Sequence, residues 1–125
     1  MYDLATEMQI VERNLRQFDE VGAMTENELA TEFAHVNELL SHSSFTYIVT
    51  WLEQLAQEGV QSANCLLGLI FPEVKNWVKA EPYCVAAVHF CGPEMKEFWK
   101  PFIDLSILGQ FFEEHIGAPA ASIKN

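Results

Sequence analysis

The chain has 125 residues, half of them hydrophobic, and carries nine phenylalanines, three tyrosines and three tryptophans. That is enough apolar material for one real core, and it excludes a disordered chain. The net charge of −11 disfavours binding to nucleic-acid phosphates or anionic lipid surfaces.

Residues 3–20 place Leu4, Met8, Val11, Leu15 and Phe18 at steps of four and three, the seam of a helix that packs along another. Gly22 stops it, and Thr25 with Glu28 three residues on predicts a capping box. Leu29, Phe33, Val36 and Leu40 repeat the spacing, and Ser41 to Ser44 break it, so residues 3–42 read as an antiparallel helical hairpin. Ser43 or Ser44 then caps a third helix with Ile48, Trp51, Leu52, Leu55 and Ala56 on one face, ended by Gly59. Ser62 is a candidate cap for a fourth helix carrying Ala63, Leu66, Leu67, Ile70 and Phe71, with Pro72 as its expected end. Gly68 inside that helix costs about 1 kcal/mol against alanine, which points to a close approach between the two arms of this central hairpin.

A short helix over 72–80 follows, and Glu81-Pro82 starts the next element. Tyr83 to Cys91 is an apolar run that periodicity leaves open between a buried helix and a strand. After Gly92-Pro93, residues 94–115 read as helical, with Met95, Phe98, Trp99, Phe102, Leu105, Leu108 and Phe112 near one face and a division or kink at Pro101. Gly117 ends this helix, and residues 118–125 read as a frayed tail. The expectation is an all-α single domain over 1–125, a bundle of five to seven helices built from antiparallel hairpins.

Trp51, Ala56, Gly59, Ala63, Leu67, Gly68 and Phe71 stand at the offsets of a Sel-one-like repeat, a relative of the tetratricopeptide repeat, which residues 51–71 resemble. The resemblance implies a helical hairpin and an adaptor or scaffold role. Leu55 replaces one family alanine. A second Leu-Gly-x-x-Phe recurs at Leu108, Gly109 and Phe112, but Asp104 stands where that family has alanine.

No phosphate loop or nucleophile motif is present, so no catalytic residue and no cofactor are assigned. Glu32 and His35 have the Glu-x-x-His spacing of carboxylate-bridged metal bundles, with Glu38 and His42 nearby, yet only one such motif occurs, and a solvated face is the better reading. Cys84, His89 and Cys91 lack a fourth ligand, and core packing is the better reading for them and for Cys65. No metal is therefore assigned, although a metal-binding bundle or enzyme built on Glu32, His35 and His42 stays as an alternative. Met1-Tyr2-Asp3 lacks the basic-then-apolar start of a signal peptide, no apolar run reaches the ~20 residues of a membrane helix, and three cysteines without CxxC fit a cytoplasmic setting.

The charge is uneven: residues 1–58 hold 11 acidic and 2 basic residues. Glu7, Glu12, Asp19, Glu26, Glu28, Glu32 and Glu38 form an acidic row that either maintains solubility or imitates a phosphate backbone toward a basic protein. Trp77 and Trp99 sit beside lysines, as aromatic anchors at interfaces often do, with core packing as the other reading. The functional reading is a non-enzymatic protein-binding protein, an adaptor or a small acidic inhibitor. Its candidate partner-binding residues are Glu26, Glu28, Glu32, Glu38, Trp77 and Trp99. An immunity or phage-type antagonist with a nucleic-acid-mimicking surface is the alternative. The partner is another protein with a basic surface, with no direct nucleic acid and no membrane, and self-association through the first hairpin's seam stays open.

Overall fold

The computed structural model describes residues 1–115, which form six α-helices, one 3-10 turn and no strand. Helices α1 (Leu4–Val21) and α2 (Glu26–Ser41) make the first hairpin, and α3 (Phe45–Gln57) and α4 (Ser62–Glu73) the second. Helix α5 (Trp77–Cys91) then passes through the 3-10 turn Pro93–Met95 into α6 (Lys96–His115). The architecture is the all-α bundle of helical hairpins that the hydrophobic spacing implies. The expected stop at Gly117 and tail at 118–125 lie outside the described residues.

The chain punctuates its helices with local chemistry. Asp3, Ser44 and Asn76 accept hydrogen bonds from the first-turn amides of Thr6, Tyr47 and Lys79, while Thr25 and Glu28 close a reciprocal capping box on α2. Gly22 takes the left-handed conformation (φ 88°) that ends α1.

Helix α4 is the centre of the bundle. Every residue from Ser62 to Pro72 except Asn64 is buried, and α4 packs against α1, α2, α3, α5 and α6. A helix apolar on all sides is stable only when surrounded. Its N-terminus is capped from a distance. The Asp19 carboxylate on α1 accepts from the amides of Gln61 (2.6 Å) and Ser62 (2.8 Å), and the Ser62 hydroxyl donates to the Leu15 carbonyl (2.7 Å). Ser62 is thus the first residue of the helix and not its cap.

Pro72 does not end α4 but lies inside it. Proline has no amide to donate to the carbonyl four residues back, which here is Gly68. The Cys84 thiol of α5 donates to that carbonyl instead (3.2 Å). Gly68 faces α5 and α6 and not α3: a Cβ there would sit 3.3 Å from the Cys84 amide nitrogen, the Cys84 sulfur and the Trp99 ring. The close approach expected inside the central hairpin is therefore made one helix further on.

Two other boundaries differ from the sequence expectation. No separate helix covers 72–80, because Asn76 caps α5 and Glu81-Pro82 falls inside it. Pro101 does not divide α6, which runs unbroken from Lys96 to His115. Pro101 and Glu97 are both exposed, so water is available to the carbonyl that the proline leaves unpaired. Tyr83 to Cys91 is helix, its alternation of buried Cys84, Ala87, Phe90 and Cys91 following one face.

Candidate protein-binding surface

The tryptophans hold the interior together. Trp99 is fully buried and Trp77 is 7% exposed, so neither is an exposed anchor, and the lysines beside them in sequence point elsewhere around their helices. Each ring fills the space left by a glycine. Trp99 lies over Gly68, and Trp77 lies so close over Gly109 that a Cβ would fall 2.3 Å from its ring carbons.

The acidic row is dispersed. Glu26 and Glu38 are exposed, and Glu38 faces the His42 ring at 3.3 Å. Glu28 is exposed but closes the α2 capping box, Asp19 caps α4, and Glu12 joins Glu58 in holding Arg16. Glu32 is turned inward and only 4% exposed. Its Oε2 accepts from Asn14 (3.2 Å), whereas its Oε1 and His35 Nδ1, 3.8 Å apart, are buried without hydrogen-bond partners. Burial pushes the Glu32 carboxyl above its ordinary range. Glu32 therefore does not belong to a docking face. The physical reason is register: the buried positions of α2 are Leu29, Glu32, Val36 and Leu39, so Leu29 and Val36 of the expected seam are kept while Glu32 and Leu39 are buried in place of Phe33 and Leu40.

No group of three or more histidine, cysteine or acidic side chains converges on a metal position among the described residues. Cys65 and Cys91 are in contact (Sγ to Sγ 3.5 Å) and buried. Sharing a hydrogen bond with Cys91, and then burial, pushes the Cys65 thiol well up. Burial likewise pushes Cys84 up to about 12. Cys65 and Cys84 are therefore held as thiols at neutral pH, whereas the hydrogen bond shared with Cys65, working against burial, holds Cys91 below its ordinary value.

Among the described residues, the C-terminal half of α6 presents an apolar face that no other helix covers. Its inward positions are Ser106, Gly109 and Gln110, where the Gln110 amide donates to the Glu81 carboxylate (2.7 Å) and to the Trp77 carbonyl (3.3 Å). Its outward positions are large and apolar: Leu105, Ile107, Leu108, Phe111 and Phe112 are each 48–50% exposed. Leu105, Leu108 and Phe112, expected near one face with Trp99, thus do not share its burial. Small residues let α6 close on the Trp77 ring, and that contact turns its large residues outward. Ile107 and Phe111 belong to two adjoining depressions, one bordered by Asp104 and Leu108, the other by Glu81, Gln110 and Glu114.

The two Leu-Gly-x-x-Phe segments make the contrast plain. Leu67 and Phe71 are buried in the bundle centre, whereas Leu108 and Phe112, in the same pattern around an equally tryptophan-covered glycine, face out. Sequence reasoning missed Ile107 and Phe111. The available signal was width: adjacent pairs Ile107-Leu108 and Phe111-Phe112 spread the apolar arc beyond what one neighbouring helix covers. No family model, curated protein or solved structure matches the chain.

Proposed function

We propose that this chain is a non-enzymatic protein-binding module whose docking surface is the outer face of α6. The observation that carries the reading is the inversion of that helix, with small and polar residues inward and five large apolar residues outward. Five half-exposed side chains amount to roughly 450 Å² of apolar surface, in the range where patches on monomers are functional. A standard interface covers about 800 Å² on each partner, so this row forms its centre and the polar surroundings its rim.

The rim is acidic. Glu81 and Glu114 border one depression and Asp104, which is paired with Lys100 at 2.7 Å, the other, and the whole chain carries −11. The partner that fits is a protein helix with an apolar row flanked by basic residues, laid along α6. A second copy fits less well, because like charges meet at the rim. The reading keeps the expectation of a basic protein partner but moves its site from α2 and the tryptophans to α6.

The test places a photo-crosslinking phenylalanine derivative at position 108 and, separately, at exposed Gln9 on α1, in the native host. The expected result is one discrete heteromeric adduct from position 108 and none from position 9. It should disappear with Phe111→Glu, which leaves stability within about 0.5 kcal/mol, as surface changes do. Equal labelling from both positions, no adduct, or an adduct of two copies of this chain would each overturn the proposal.

A further inference from the structure

A cleft of about 240 Å³ opens where α2, α4 and α6 meet, lined by Glu26, Leu29 and Phe33, by Glu73, and by Phe98 and Phe102. Its wall is aromatic: the Phe98 and Phe102 rings lie 5.6 Å apart, inclined by 45°, with Phe33 contributed by α2. Glu26 and Glu73 are exposed and come from different helices, and neither has a basic partner among the described residues. Both carboxylates border one small apolar cleft, so a cation entering it meets two acceptors. The entering group must therefore combine positive charge with an apolar stem and a face that tolerates aromatic rings.

Arginine has that combination. Its guanidinium is planar and weakly hydrated, stacks on aromatic faces, and offers forked donors that reach two carboxylates at once, whereas lysine presents a compact, strongly hydrated point charge. We infer that the cleft receives one arginine side chain of the partner that docks on α6. The inference rests on that docking and extends it by geometry. Phe102, which lines the cleft, stands three residues before Leu105 and about 60° round α6 from it, so the cleft opens beside the Leu105 edge of the outer apolar row. Phe102 and Leu108 are separated by about 9 Å of helix rise and about 120° round the helix, so the arginine reaches the cleft around the edge of α6 from the partner that covers Leu108.

The cleft is testable without the partner. n-Butylguanidinium, n-butylammonium and 1-butanol are titrated into the full chain while the ring signals of Phe33, Phe98 and Phe102 are followed by NMR. Guanidinium is expected to give saturable shifts on these rings, ammonium to bind more weakly, and butanol to leave them unmoved. The Glu26→Gln/Glu73→Gln double variant should weaken guanidinium binding about tenfold or more, and Ala30→Tyr at the cleft's edge should block it without changing charge. Butanol binding as tightly as guanidinium, or guanidinium shifts that persist unchanged in the double variant, would overturn the inference. Equal binding of ammonium would overturn the choice of arginine. The probes do not engage Leu108, so a silent cleft with a crosslink at 108 removes only this inference, whereas a guanidinium-selective cleft without the crosslink removes the α6 docking and, with it, the assignment of the arginine to that partner.

Discussion

Replacing Gly109 by alanine adds one methyl group against the Trp77 ring, and the cost follows from distance. The new Cβ would lie 2.3 Å from ring carbons Cγ and Cδ1 and 2.4 Å from Nε1, where unstrained carbon pairs need about 3.5–4.0 Å. The ring must retreat by more than ~1 Å. It is 7% exposed, and its residue is held at the backbone by Gln110, so α5 and α6 must separate with it. Overpacking of this kind costs about 1–3 kcal/mol, and the distance places this site at the upper end. Alanine returns about 1 kcal/mol in helix propensity. The expected net loss is ~2 kcal/mol in urea denaturation followed by far-UV circular dichroism. In a Trp77→Leu background the ring is gone and only the propensity term survives, so the same alanine should stabilise by up to ~1 kcal/mol. The coupling between the two sites is therefore about 3 kcal/mol. If Gly109→Ala is as stable as the parent, or loses the same amount in both backgrounds, the contact between ring and helix is not what orients α6.

Cys84→Ala removes the donor to the Gly68 carbonyl and should cost about 1–3 kcal/mol, while Cys84→Ser keeps a donor and should cost less. The thiol is ordinarily near 9.0 and stands at about 12 in the fold, so the unfolded chain loses its proton first as the solution turns alkaline. Its contribution is fully present below pH 9 and is lost on the way to 12, so the parent should lose about 1 kcal/mol relative to Cys84→Ser between pH 8 and pH 10; parallel curves would contradict this. Glu32 has its carboxyl raised by burial, so the stability it contributes is present below its unfolded range and lost as pH rises through the folded value. Glu32→Gln should match the parent in acid and be neutral to more stable at pH 7, with its amide free to donate toward His35 Nδ1; a loss at pH 7 would show that the charge is needed. Gly68→Leu, with Cys84 and Trp99 already 3.3 Å from a Cβ, should destabilise by ~1–3 kcal/mol, and an unchanged urea midpoint would count against that packing.

Local chemistry was legible in the sequence. The Thr25–Glu28 box, the stop at Gly22, and the burial of Val11 and Leu15 on the α1 seam follow from residue type and spacing. Spacing also groups the apolar residues of α6 onto a helix. It does not tell which side meets the bundle, because that depends on whether Trp77 finds Gly109, a contact spanning two helices. The same limit applies to Pro72. In sequence it reads as a stop, and only the fold brings the Cys84 thiol to the carbonyl that the proline strands. Glu32 is the instructive error. Hydrophobicity excluded it from the seam, although its spacing of three from Leu29 and four to Val36 places it squarely on the buried side. Asn14 on the facing helix is what makes that position tolerable.

The remote cap on α4 bears on the order in which the molecule assembles. Helix α4 has no capping side chain of its own, and Asp19, which supplies the acceptor, precedes it by 42 and 43 residues. The central helix therefore gains its cap only once α1 rests against it, whereas α1 and α2 carry caps of their own. In a solenoid each hairpin closes by itself and units can be added or removed. Here the second hairpin borrows its cap from the first, and synthesis from the N-terminus delivers that cap before the helix that needs it.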